Sequence, residues 1–269
     1  MKGDCLQSPF LIYIDMKNPV LNSTINTLAL AGVLTVNALA NILPINGLNT
    51  GQVSALYPTL FTPAGITFSI WSIIYVLLLG FIGFQWLQLK NERIQSIITS
   101  ITPAFLASCI LNMTWIFAWH YLMVGTSIII MLALLTSLIT LFLTLQKHKS
   151  SGFAERTFLH LPFTIYLAWI CVATIANLSI ALYSIQWKGL GLTDAGWTVI
   201  MMTVAASLAG YITIRFLKPA FALVVIWALT GIYLRWNNSP ENLIAYAAII
   251  LIILLSTITT FSVRQIMKR

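Results

Sequence analysis

The sequence predicts an all-α integral membrane protein with eight transmembrane helices, a five-helix unit followed by three extra spans. Three observations carry this. Hydrophobic residues make up 59% of the 269 and charged residues only 7%, where soluble domains carry about 25% charged. A water-soluble fold of this length has too little interior to hide so much apolar surface. The apolar residues also come in blocks of the length a helix needs to cross the hydrocarbon core, roughly 20 residues. Finally, basic residues recur at every second break between the blocks.

Taken in order, the spans are expected near 25–44, 63–89, 101–121, 126–146, 157–184, 195–215, 219–235 and 241–263. The tail before them, residues 1–24, is too polar for a secretory signal and is followed by no small-residue cleavage site. Met16-Lys17 offers an alternative start. Between the first two spans lies INGLNTGQVSALYPTLFT (45–62), which has no charge and carries Gly47, Gly51 and Pro58 as turn signals. It is long for a bundle connection, so it is expected to fold back over one end of the bundle. The third and fourth spans are separated only by about 122–125, which makes them antiparallel neighbours. A polar break at 185–194, with Lys188, Gly189, Gly191 and Asp194, divides the five-helix unit 25–184 from the three-helix extension 185–269 and its basic tail. No internal repeat accompanies this division, which disfavours an inverted-repeat carrier.

Charge sets orientation. Lys2, Lys17, Lys90, Arg93, Lys147, Lys149, Arg156, Arg215, Lys218, Arg264, Lys268 and Arg269 fall on one side of an eight-span topology. Only Lys188 and Arg235 fall on the other. The positive-inside rule puts the first group, and both termini, in the cytoplasm; a multi-pass protein of a bacterial plasma membrane is expected. The net charge of +8 then reflects topology and anionic lipid rather than nucleic acid.

The ionisable residues exclude a retinal-type photoreceptor and disfavour ion-coupled transport. Asp4, Asp15, Glu92, Glu155, Asp194 and Glu241 all lie in tails, loops or span ends, as do the lysines. A retinal Schiff base needs a lysine within a span, and ion-coupled carriers generally need a carboxylate there. Cys5, Cys109 and Cys171 have no metal-ligand spacing, and the latter two are expected to pack as small apolar groups. His120 and His160, at span ends, are expected to be solvated or hydrogen-bonded rather than bound to haem iron. No nucleophile–base pair or phosphate loop marks an enzyme.

What remains is aromatic and amide. Trp71 and Tyr75 stand four apart; Asn112, Trp115 and Trp119 follow at spacings of three and four; Trp169, Ala173 and Asn177 at spacings of four. Each set shares a helix face, and all fall toward the half of the bundle beneath the uncharged segment. An aromatic wall with a few polar points suits a large, flat, mostly apolar ligand. The competing reading is structural: tryptophans anchor spans at the interface, as expected for Trp86, Trp187, Trp197 and Trp236, and asparagines bond between helices.

The run Phe61-Thr-Pro-Ala-Gly-Ile-Thr-Phe-Ser-Ile-Trp71-Ser-Ile-Ile-Tyr75 resembles the second-helix signature of the TspO/MBR family, the tryptophan-rich sensory or translocator proteins. Leu111-Asn112-Met113-Thr114-Trp115 is similar to its third-helix motif, and Tyr166-Leu167-Ala168-Trp169 with Ala173-Thr174 and Asn177 to its fifth. The resemblance covers about 25–184. Pro63-Ala64-Gly65-Ile66 stands where the family has Pro-Pro-x-Trp, with one residue fewer before Trp71, and Ile165 where it has proline. The missing tryptophan lines the ligand pocket in family members. The resemblance implies a sensor or regulatory protein that binds a porphyrin, haem-related tetrapyrrole or sterol, often as a homodimer. Trp71, Tyr75, Trp115 and Trp169 would be walls, Asn112 and Asn177 polar fixtures. No cofactor is required, and bound porphyrin or haem would be ligand. A permease-like transporter, with the last three helices completing a pathway, is the alternative.

Overall fold

The computed structural model describes residues 18–43, 45–148, 150–239 and 242–268. Lys2, Asp4, Cys5, Asp15, Met16, Lys17, Lys149, Glu241 and Arg269 lie outside the described residues, and with them most of the N-terminal tail. Among the described residues there are eight helices long and apolar enough to cross a membrane: α1 Pro19–Ile42, α2 Gly65–Leu87, α3 Glu92–His120, α4 Val124–Gln146, α5 Phe153–Ser184, α6 Asp194–Phe216, α7 Pro219–Trp236 and α8 Asn242–Met267.

Two helices begin earlier than their apolar blocks. α1 starts at Pro19 because Asn18 Oδ1 accepts from the backbone N–H of Val20 and Leu21 at 3.0 and 3.2 Å. Its polar first turns do not face lipid. Asn22 Nδ2 donates to Thr99 Oγ1 at 2.9 Å. Asn26 Nδ2 lies 3.1 Å from both Gln85 Oε1 and Thr102 Oγ1. α3 starts at Glu92, not near 101, capped by Asn91 Oδ1 on the Ile94 N–H. Ile94, Ile97 and Ile98 are buried there, so the helix packs before it becomes uniformly apolar. Hydropathy marks the lipid-matched stretch; capping and packing set the helix end.

Helices α1, α3, α4, α5 and α2 form a closed ring in that order, each packed on the next and α2 back on α1. α3 and α4 are antiparallel neighbours joined through 121–123, as the short break requires. Phe81, Phe105 and Phe163 meet edge to face inside the ring at 5.0–5.9 Å, a geometry worth about 0.5–1.5 kcal/mol per pair beyond burial. Cys109 and Cys171 are buried and free. At the end where α3 and α5 begin, Arg93 donates to Glu155, which also accepts from the Ser151 hydroxyl.

α6, α7 and α8 pack on one another and dock on the ring through α5, chiefly by α7. Described basic residues Lys90, Arg93, Lys147, Arg156, Arg215, Lys218, Arg264 and Lys268 sit at one end of this up-and-down arrangement, Lys188 and Arg235 at the other.

Candidate ligand site

The site is built at the end where α3 finishes, from the uncharged segment downward. That segment is ordered into a turn at Ile45–Gly47 and a short helix Thr50–Ala55, with Asn49 and Gln52 forming a reciprocal capping box. It folds back over the bundle, as its composition suggests. His120 holds it there. Its Nδ1 lies 3.1 Å from the Ile45 carbonyl, which only accepts, so Nδ1 carries the proton. Nε2 then accepts from the Thr50 hydroxyl at 3.1 Å. Trp119 Nε1 donates to the Thr50 carbonyl at 3.2 Å, and Asn46 Nδ2 to the His120 carbonyl at 3.0 Å. With both ring nitrogens engaged, His120 is a structural clasp.

Beneath the segment, Trp71 is the hub. It stacks on Tyr75 at 5.6 Å and meets Tyr166 and Trp169 edge-on at 5.9 and 6.3 Å. Trp169 also meets Phe68 edge-on at 6.1 Å, and Trp115 stacks on Trp119 at 5.4 Å. Two cavities flank this cluster and share Thr50, Phe68 and Trp71 as a partition. The inner one, about 40 Å³, is walled by Trp71, Trp115, Trp119, Trp169, Ala173 and Asn177 among others. It has room for a few waters. The outer one is a groove of about 830 Å³ between α1, α2 and the short helix, lined by Trp71, Tyr75 and the amides Asn37, Asn41, Asn49 and Gln52. Its size is that of small-molecule sites.

Six of the eight residues singled out in the sequence thus share one cavity, Trp71 faces both, and Tyr75 lines only the groove. Asn112 lines neither. Its Oδ1 accepts from Asn37 Nδ2 at 2.8 Å and its Nδ2 donates to Tyr166 Oη at 3.1 Å, so it joins α1, α3 and α5. Asn177 lines the inner cavity, but its Nδ2 donates to Ser127 Oγ at 3.1 Å, tying α5 to α4. The donors left over are the aromatic ones: Tyr75 Oη, Trp115 Nε1 and Trp169 Nε1 are buried with no hydrogen-bond partner among the described residues. Leaving such a group unsatisfied costs about 1–3 kcal/mol. Phe68, three residues before Trp71 in the same motif, was open to the spacing argument. Thr50 and Pro63, from the segment, were not.

The model of the TSPO-like protein family matches residues 23–261. The chain belongs to that family. No curated protein and no solved structure matches it. The match takes in α6–α8 as well as the five helices that carry the motifs.

Those three helices explain where this TSPO-like chain departs from the family's second-helix signature. The Ala64 N–H donates to the Gly231 carbonyl of α7 at 3.0 Å, a bond that a proline at 64 has no hydrogen to make. Ile66, standing in for the tryptophan, is 63% exposed and points away from both cavities. α7 also supplies Trp227 Nε1 to the Thr67 carbonyl and Trp236 Nε1 to the Leu60 carbonyl, each at 2.9 Å. Arg235 donates to the Thr62 carbonyl at 3.1 Å. Trp236, expected as an interface anchor, is therefore part of a clamp on residues 60–67. Gly231 permits the approach: a Cβ there would lie 1.9 Å from Thr67 Oγ1. No group of three or more His, Cys, Asp or Glu positioned to hold a metal occurs among the described residues.

Proposed function

We propose that this TSPO-like membrane protein binds a flat, mostly apolar molecule bearing hydrogen-bond acceptors, and that it acts as a sensor or regulator of that molecule. The carrying observation is the set of three unpartnered buried donors, Tyr75 Oη, Trp115 Nε1 and Trp169 Nε1, grouped around Trp71. The groove of about 830 Å³ receives the body of the ligand against the Trp71–Tyr75 stack. Rotation of Trp71 and Phe68 would join the inner cavity to the groove and bring the indole donors into reach. A tetrapyrrole, with several carbonyl or carboxylate acceptors, answers three donors better than a sterol with one hydroxyl. No histidine lines either cavity, so a metal-free porphyrin is expected to bind about as well as haem.

Binding is favoured over permeation because α6–α8 contribute to neither cavity and instead clamp the segment above them. The excess of basic residues at the Lys147 and Arg156 end supports a cytoplasmic position for that end and for both termini. Titration of the purified chain with protoporphyrin, haem and a sterol, followed by tryptophan fluorescence, tests this reading. Saturable quenching by protoporphyrin and haem at similar concentrations, with weaker sterol binding, is expected. Linear, non-saturating quenching by both tetrapyrroles would refute it.

A further inference from the structure

A further cavity, of about 500 Å³, lies at the opposite, basic end of the bundle, lined by Arg156, His160, Thr164 and Lys218 with Leu161, Leu217 and Ile266. Its construction is specific. α5 opens with a π-helical turn at Arg156–His160, and Pro162 follows, unable to donate to the preceding turn. Opposite, the chain passes from α6 to α7 through two residues. Leu217 is left-handed at φ 54°, and Lys218 precedes the Pro219 that starts α7. That conformation costs an L-residue about 1–2 kcal/mol, and both Leu217 and Lys218 line the cavity.

Among the described residues no acid forms an ion pair with Arg156 or Lys218. Glu155, their neighbour in sequence, is committed to Arg93 and Ser151. Arg156 Nε donates only to the Ser150 hydroxyl, at 3.3 Å, among the described residues. The Lys218 carbonyl accepts from the Thr213 hydroxyl and the Phe221 N–H, but its ammonium has no hydrogen-bond or ion-pair partner among them, and burial together with the Arg156 charge holds that ammonium below the usual lysine range. His160, expected to be solvated or hydrogen-bonded, is instead 6% exposed, and neither ring nitrogen has a partner among the described residues. Two like charges beside an unsatisfied imidazole in a partly apolar cavity are stabilised by an anion rich in acceptor oxygens. The apolar lining continues toward the lipid-facing end of α8 at Ile266.

We propose that this cavity is a binding site for a net-anionic phosphate, with Arg156 and Lys218 as charge partners and His160 as a neutral one, the Thr164 hydroxyl being already donated to the His160 carbonyl at 2.9 Å. Phosphate chemistry reaches a membrane protein from two sources, an anionic lipid headgroup or a free phosphate, and basic pockets between transmembrane helices commonly take the former.

The full-length chain in detergent, titrated with phosphatidylglycerol or phosphatidylcholine and followed by native mass spectrometry, reads the lipid arm. At about fivefold per cation, phosphatidylglycerol should bind roughly 25-fold tighter. Lys218→Gln with Arg156→Gln should abolish the preference, and Lys218→Arg should retain it. Lys188→Gln, at the other end, should leave it intact. In the second arm, inorganic phosphate is tested for a saturable rise in unfolding temperature that the double variant loses; such a rise without lipid preference assigns the site to free phosphate. Equal binding of the two lipids with no phosphate effect overturns the proposal, as does a preference that survives both substitutions.

Discussion

Replacing Gly231 with alanine tests how α6–α8 serve the site. The added Cβ would stand 1.9 Å from Thr67 Oγ1 and 2.9 Å from Thr67 Cβ and Cγ2. No rotamer of Thr67 clears its own Cβ, so α7 and the 62–67 segment must separate. Separation stretches the Ala64 N–H bond to the Gly231 carbonyl and the Trp227 bond to the Thr67 carbonyl. At about 0.5–1.5 kcal/mol each, these losses total about 1–3 kcal/mol, and overpacking adds about 1–3 kcal/mol. Alanine returns about 1 kcal/mol through helix propensity. A net destabilisation of about 1–5 kcal/mol is expected, read as a lower midpoint of reversible unfolding in mixed micelles. Thr67→Ala removes Oγ1 and Cγ2, so the double variant should recover part of the loss, a coupling that independent sites lack. Gly231→Ala as stable as wild type, or the two substitutions adding without coupling, would refute the clamp.

Three further outcomes follow. Trp169→Leu keeps the span apolar but removes an aromatic wall and a free donor. It should weaken protoporphyrin about 5- to 150-fold, by analogy with stacking on bases, as measured by equilibrium titration. Asn112→Leu leaves Asn37 Nδ2 and Tyr166 Oη without their buried partner. It should lower the unfolding free energy by about 1–3 kcal/mol, while affinity falls less than in Trp169→Leu. Cysteines placed at the exposed residues Lys188 and Phe153, in a chain without its native cysteines, should react with an impermeant maleimide from opposite sides of the membrane; labelling of both from one side contradicts the topology.

The spans and their order were legible because lipid imposes a length on every crossing, and that length is written in one dimension. The polar opening of α1 was not. Asn22 and Asn26 read as tail, yet they are buried against Thr99, Gln85 and Thr102 from two other helices, and a single sequence does not show which helices adjoin. The same limit governs the site. Helical spacing put Trp71, Trp115 and Trp169 on faces that converge, but it says nothing of what those faces meet. Asn112 shares its face with Trp115 and is consumed by Asn37 and Tyr166. Trp227 and Trp236 lie more than 150 residues from the carbonyls they bind, a pairing no local pattern encodes.

The central claim is that the buried, unpartnered aromatic donors are kept for a ligand's acceptors. 3-Benzothienylalanine at both Trp115 and Trp169 keeps a bicyclic ring of nearly the same shape and deletes only the two indole N–H groups, so insertion and packing are preserved. The measurement is the dissociation constant for protoporphyrin in this double variant against wild type. Two lost hydrogen bonds at about 0.5–1.5 kcal/mol each predict an affinity roughly 5- to 150-fold weaker. Equal affinity in the two folded proteins would mean that the indoles are packing alone and that no ligand acceptor reaches them.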